Sequence, residues 1–228
     1  MTYGAEFYNS SGKLQIGIGS NNLYLVAKGT FTMTSGEDFK TVNAGVAHDI
    51  MVVSCSNGFV SAPTFKAVAA TSTWVVAKSH IGVTLSVNYW CFRSYKALTP
   101  ATSGFGMEIY NADGTLAFST KKPQLMRSVS AIPIPNNTPF TSAMAGGKTF
   151  AFGYYGAVID TEVYTEPDPE LGTLTFHYYK HPAIKLVGTT LNIEVTAAEP
   201  SPSAGGPIGS PIYAGGILVI DVTGYTTV

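Results

Sequence analysis

Charge is scarce in this sequence. Asp, Glu, Lys and Arg make up only 12% of the 228 residues, against roughly a quarter in ordinary globular chains. The formal net charge is −1. Proteins that displace counterions from a phosphate backbone need a basic stripe, and none is present, so nucleic acid is set aside as a partner. Cysteine is equally rare. Cys55 and Cys91 are the two, and their separation matches no metal or redox spacing, which leaves two reduced thiols buried as small apolar residues. Long apolar runs are missing too: Gly, Thr and Ser interrupt each one before it reaches membrane-spanning length, so no membrane insertion is expected. Met1 is followed by Thr-Tyr-Gly-Ala-Glu, without a basic or apolar leader region. The expectation is a soluble chain that folds where it is made, in a cytoplasm.

Helical periodicity is also absent. In its place are short alternating or β-branched runs punctuated by Gly, Pro and Asn, the pattern of strands. Examples are Leu23–Ala27, Thr30–Thr34, Ile50–Ser54, Val83–Tyr95, Thr149–Tyr154, Thr173–Tyr179 and Gly216–Val222. Many short strands with turns between them predict an all-β fold of sandwich or barrel type. Residues 198–216 are rich in Pro, Gly and Ser and predict a long irregular loop inside the second half.

One segment occurs twice. YGAEFYNSSGKLQI begins at Tyr3 and FGMEIYNADGTLAF begins at Phe105, an offset of 105 − 3 = 102 with no gap. The identical pairs are Gly4/Gly106, Glu6/Glu108, Tyr8/Tyr110, Asn9/Asn111, Gly12/Gly114 and Leu14/Leu116. Each copy opens one half, which predicts two tandem β-sandwich-like domains, 1–100 and 104–228, each starting with a β-hairpin. Asn-x-x-Gly fits a tight turn, with Asn bonding back to the backbone and Gly at positive φ. Two registers compete. A three-residue loop with a Gly bulge sets Tyr110 opposite Leu116 and Glu108 opposite Phe118. A four-residue loop sets Ile109 opposite Leu116 and Met107 opposite Phe118, which separates apolar from polar side chains. Burial therefore favours the four-residue loop.

An opening of the form aromatic-Gly-x-Glu/Gln-apolar-Tyr/Phe-Asn-x-x-Gly-x-Leu, here Tyr3–Leu14 and Phe105–Leu116, resembles the starts of small virion proteins of tailed bacteriophages. Those are tail, tail-tip or tail-fibre-associated proteins. The resemblance implies a β-rich, non-enzymatic, oligomeric structural protein of the virion tail whose partners are other tail proteins and further copies of itself. Where that family often continues with Asp-Ser and a basic or aromatic residue, this chain has Gly17-Ile18-Gly19 and Ser119-Thr120-Lys121-Lys122.

Chemistry finds few footholds. His177 and His181 on one strand would stand about 13 Å apart, too far to share an ion. The acidic stretch Asp160–Glu170 lacks the alternating ligands and obligatory Gly of a calcium loop and reads as a solvated connection between strands. Ala145-Gly146-Gly147-Lys148-Thr149 lacks the first Gly of a phosphate loop, because Ser142 stands there, and no helix pattern follows. No G-x-S-x-G is present. Neither an enzyme nor a cofactor is expected. Aromatic rows remain, and exposed rings suit subunit contacts or sugar stacking. Trp74, Trp90, Tyr154, Tyr155, Tyr178 and Tyr179 are the candidate contact residues, with a host-surface glycan as the alternative partner to tail subunits.

Overall fold

A computed structural model of the chain describes residues 7–8, 14–16, 22–44, 49–68, 71–78, 82–94, 105–121, 125–134, 139–155, 158–168, 172–201, 212–213 and 215–225. Among these residues every regular element is a β-strand. The first half supplies β1 (Phe7–Tyr8), β2 (Leu14–Ile16), β3 (Leu23–Met33), β4 (Phe39–Asn43), β5 (Ile50–Cys55), β6 (Val60–Ser61), β7 (Thr64–Val68), β8 (Thr71–Ala77) and β9 (Leu85–Ser94). The second supplies β10 (Glu108–Tyr110), β11 (Leu116–Ser119), β12 (Ser128–Pro133), β13 (Phe140–Ala143), β14 (Phe150–Tyr155), β15 (Val158–Asp168), β16 (Gly172–Val187), β17 (Thr190–Ser201), β18 (Ile212–Tyr213) and β19 (Gly216–Asp221).

Six strands form a central antiparallel sheet in the order β12-β19-β14-β5-β9-β3. Its strands come three from each half, and the halves meet where Phe152 of β14 lies opposite Val53 of β5. A second sheet runs β13-β17-β16-β15-β18, and β6 of the first half pairs with β16. Between the two sheets lies the main core. Val53, Val87, Phe150, Phe152, Ile217 and Val219 of the central sheet are buried together with Ile184, Leu186, Leu191 and Ile193 of the second. The residues read as two tandem units, 1–100 and 104–228, thus share a sheet and a core. Residues 95–104, where the two were to join, lie outside the described residues.

Around β5, β14 and β19 the central sheet is covered on both faces. Alternate residues of the same strands, among them Val52, Trp90, Phe92, Ala151 and Ile220, form a second buried cluster with Tyr225. Strands buried on both sides have no polar face to show, which is why β5 reads as the nearly unbroken run IMVVSC. A three-stranded sheet, β4-β8-β7, adds Val42 and Trp74 to Met51 and Cys91. Both thiols are free and buried, and burial pushes that of Cys91 up to about 12.

Local chemistry explains where the strands depart from the sequence pattern. Leu23–Ala27 and Thr30–Thr34 are one strand, β3, running through Gly29. Tyr89 lies opposite Gly29, and its ring comes within 2.7 Å of where a Cβ would stand, so the aromatic ring covers the gap the glycine leaves. The acidic stretch from Asp160 is not a loop. It is most of β15, paired with β16 from Asp160↔Lys180 to Asp168↔Gly172. β16 continues past Pro182 because the proline falls between two partial neighbours. Pairing with β15 starts at Lys180 and pairing with β6 starts at Ala183, so on that side its missing N–H interrupts no ladder. The irregular segment is shorter than the sequence suggests, since β17 extends to Ser201 and β18 occupies Ile212–Tyr213; residues 202–211 lie outside the described residues.

Lys78 is buried, and its ammonium donates to the carbonyls of Thr34 (2.8 Å), Ser35 (3.4 Å) and Val83 (3.1 Å). Three carbonyls converging on one point would suit a small cation. Here the chain's own ammonium fills the place and ties two loops together.

Candidate functional site

The repeated segment is the place where sequence and structure converge. In the second copy, Gly114 takes φ +80. Its N–H donates to Asn111 O at 3.0 Å, and Asn111 N–H donates to Thr115 O at 2.8 Å. That is a type I turn followed by a glycine bulge, the three-residue loop. The Asn111 amide donates to Thr115 Oγ1 at 3.0 Å, and Asp113 accepts from the Thr115 N–H at 3.0 Å and its hydroxyl at 2.5 Å. Gly106 has its own reason: a Cβ there would stand 2.8 Å from Thr120 Oγ1, the hydroxyl that accepts the Met107 N–H.

The four-residue loop favoured by the burial pattern is overturned. Tyr110 lies opposite Leu116, Ile109 opposite Phe118 and Glu108 opposite Ser119, with a shift between Ile109 and Tyr110. One extra residue, Ala117, is accommodated in β11. A bulge lets two consecutive side chains go to the same side, and Leu116 and Ala117 are both buried. The loop therefore keeps its best geometry while Ile109 still faces an apolar partner. Judging the register by alternation alone omitted this device.

The first copy repeats it. Tyr8 pairs with Leu14 and Phe7 with Ile16, with the shift between Phe7 and Tyr8. Adding 102 to each number gives the pairing of the second copy. Gly4, Glu6, Asn9 and Gly12 lie outside the described residues.

The second hairpin is fastened to the body on one side. Leu116 packs on Tyr24 of β3, and the Asn22 amide donates to Ala117 O at 3.1 Å. Glu108 accepts the Tyr110 hydroxyl at 2.6 Å, and that bond raises the pKa of the phenol. Lys121 stands 3.9 Å from the same carboxylate. Around the hairpin Phe105 is fully exposed, Met107 is 46% exposed, and Tyr110, on the same side as its partner Leu116, is 42% exposed.

The other aromatic candidates fare differently. Trp74 and Trp90 are 7% and 5% exposed, so neither ring is a platform; both fill clusters against the central sheet. Tyr154 packs against the main core and its hydroxyl donates to Pro182 O at 2.6 Å, joining β14 of one sheet to β16 of the other. Trp90 and Tyr154 are drawn inward because their stretches of the central sheet are packed on both faces. The side chains of Tyr155, Tyr178 and Tyr179 lie outside the described residues. His177 and His181 both lie on β16, opposite Ser201 and Thr196 of β17.

A charged cluster that the sequence did not single out closes the end of β19. Asp221 accepts from Lys148 at 2.9 Å and from the Thr223 N–H at 3.0 Å, with Arg127 at 3.9 Å. The Arg127 guanidinium stands 4.6 Å over the Tyr225 ring, and Lys28 donates to Tyr225 O at 2.7 Å. Burial pushes the Asp221 carboxyl up, but the bonds from Lys148 and Thr223 outweigh it and hold the pKa below the ordinary 3.8. A carboxylate so depressed stabilises the fold at pH values above its unfolded pKa, and the contribution fades as pH falls through the folded value. Thermal melts of wild type and Asp221→Asn should accordingly differ by a constant amount near neutrality and converge in acid. A gap unchanged across the acid range would show that the carboxylate's ionisation contributes nothing.

Fold and site together define a two-layer all-β protein with a duplicated, bulged hairpin. No protein-family model, curated protein or solved structure matches the chain.

Proposed function

We propose that this chain is a structural protein of a bacteriophage tail, working as a tail-tip, adaptor or fibre component and assembling as an oligomer. The observation that carries the assembly is the second hairpin: Leu116 fastens it to the body, while Phe105, Met107 and Tyr110, in and beside it, are three of the six exposed large apolar side chains among the described residues. Apolar side chains gathered in one place mark a contact surface. The placement in a virion tail rests on the resemblance carried by Tyr3–Leu14 and Phe105–Leu116. Its partners are then other tail proteins and further copies of this chain, and its task is mechanical: a body whose halves share one core transmits load without hinging. With Trp74, Trp90 and Tyr154 packed inside, three of the six rings that favoured a glycan-binding role are withdrawn.

Sedimentation of the full chain over a wide concentration range tests the reading. Oligomers that persist at micromolar concentration are expected, and so is their co-assembly with tail proteins expressed alongside. A monodisperse monomer at every concentration, indifferent to those proteins, would remove it.

A further inference from the structure

We propose that Asn57-Gly58, in the turn between β5 and β6, is a self-modification site: the fold holds it closed, and Asn57 loses ammonia once that turn opens. The inference stands apart from the tail reading. Asn57-Gly58 is the one Asn-Gly pair in the sequence, and Asn57 is exposed to solvent. In such a pair the backbone nitrogen of the glycine can attack the side-chain carboxamide, because no Cβ on the glycine stands in the way. The bond from Gly58 N to Asn57 Cγ forms and the Cγ–Nδ2 bond breaks. The displaced amino group takes up the proton that Gly58 gives up and leaves as ammonia. Water then opens the resulting five-membered imide at either carbonyl. One opening gives aspartate; the other gives isoaspartate, with the main chain routed through the side-chain carbon.

The turn as folded prevents that attack. Both polar atoms of the carboxamide are held: Nδ2 donates to Thr84 O at 3.2 Å, and Oδ1 accepts from the Ser86 N–H at 3.3 Å and from the Cys55 thiol at 3.4 Å. The N–H groups of Asn57 and Gly58 bond to the Cys55 sulfur. The carboxamide cannot swing over the Gly58 nitrogen until these bonds part, so the reaction waits for a local opening. Its product does not fit the closed turn. Aspartate has no N–H for Thr84 O and sets a carboxylate oxygen against it. Isoaspartate lengthens the main chain beside Gly58, where even a Cβ would stand 2.2 Å from Leu85 Cδ2. Leu85 lies in the main core with Cys55 and Val60. A chain that opens here and reacts is thereby kept from closing as before.

Full-length protein in mildly alkaline buffer, native in one sample and unfolded in guanidinium chloride in another, tests the proposal. Peptide mass spectrometry follows the amide-to-acid mass gain at residue 57. Conversion is expected in the unfolded chain, and the native chain should convert more slowly by on the order of a hundredfold, each of the three carboxamide bonds contributing a factor of a few. Cys55→Ala removes one of those bonds and the anchor of the Gly58 N–H. Its native sample should convert several times faster than wild type, at an unchanged unfolded rate; the wild-type comparison decides even where this variant fails to fold. Asn57→Asp, the hydrolysis product made directly, should melt below wild type. Equal rates in native and unfolded wild type would overturn the closure by the fold, and an unfolded chain that never converts at residue 57 would overturn the site itself. An Asn57→Asp protein as stable as wild type would overturn the claim that the product no longer fits the turn.

Discussion

Phe152→Ala is expected to lower stability by about 3–5 kcal/mol, the usual cost of emptying a buried phenylalanine site, and to loosen both halves of the chain at once. Phe152 is 1% exposed and lies at the seam, opposite Val53 on one side and Val219 on the other. Its ring shares the core cluster with Ile184 and Ile193 of the second sheet, so the cavity opens where four strands depend on it. Both tryptophans, Trp74 and Trp90, belong to the first half. Their fluorescence therefore reports on the first half while the substitution sits in the second. In urea titrations the tryptophan transition of Phe152→Ala should move to lower denaturant by the same amount as the far-ultraviolet circular dichroism. Two separately cored domains would behave otherwise: the tryptophan transition would stay where it is in the wild type. That result would contradict the shared sheet.

The fold class was legible because its signals are local. Alternation, β-branched runs and turn residues act over a few positions, and no helical period competes with them. The short polar strands were not legible. β4 (Phe39–Asn43), β7 (Thr64–Val68) and β13 (Phe140–Ala143) carry little apolar pattern of their own and become strands because a longer neighbour offers a ladder. The acidic stretch of β15 is the sharpest case, since charge argued for a loop while pairing with β16 made it extended. The duplicated hairpin was recognisable in the residues, and its turn glycine behaves as read. Its register was misjudged because a bulge breaks the alternation that the burial criterion assumes. Trp74 and Trp90 were read as exposed for a related reason: nothing along a single strand tells whether its second face meets water or another layer.

Arg93→Ala is expected to cost about 3–5 kcal/mol, the range for stranding one member of a buried ion pair. The guanidinium grips Asp49 with two bonds, Nε to Oδ1 and Nη2 to Oδ2, each 2.9 Å. The exposures are unequal: the Asp49 side chain is 1% exposed and that of Arg93 26%. Removing the arginine leaves a carboxylate with little access to water, whereas removing the aspartate leaves a guanidinium that can still reach solvent. Asp49→Ala should therefore cost less than Arg93→Ala, an asymmetry that a surface ion pair would not show. The bonds from Asp49 also raise the pKa of Arg93, so the guanidinium stays charged at every pH where the protein folds. Replacing both residues by alanine removes the stranded charge along with the attraction. The double variant should then lose clearly less than the sum of the single losses. Urea titrations of the three variants measure all of this. Single losses that simply add, or an Arg93→Ala loss under about 1 kcal/mol, as for exposed pairs, would show that this contact lies on the surface of the working protein and not beneath it.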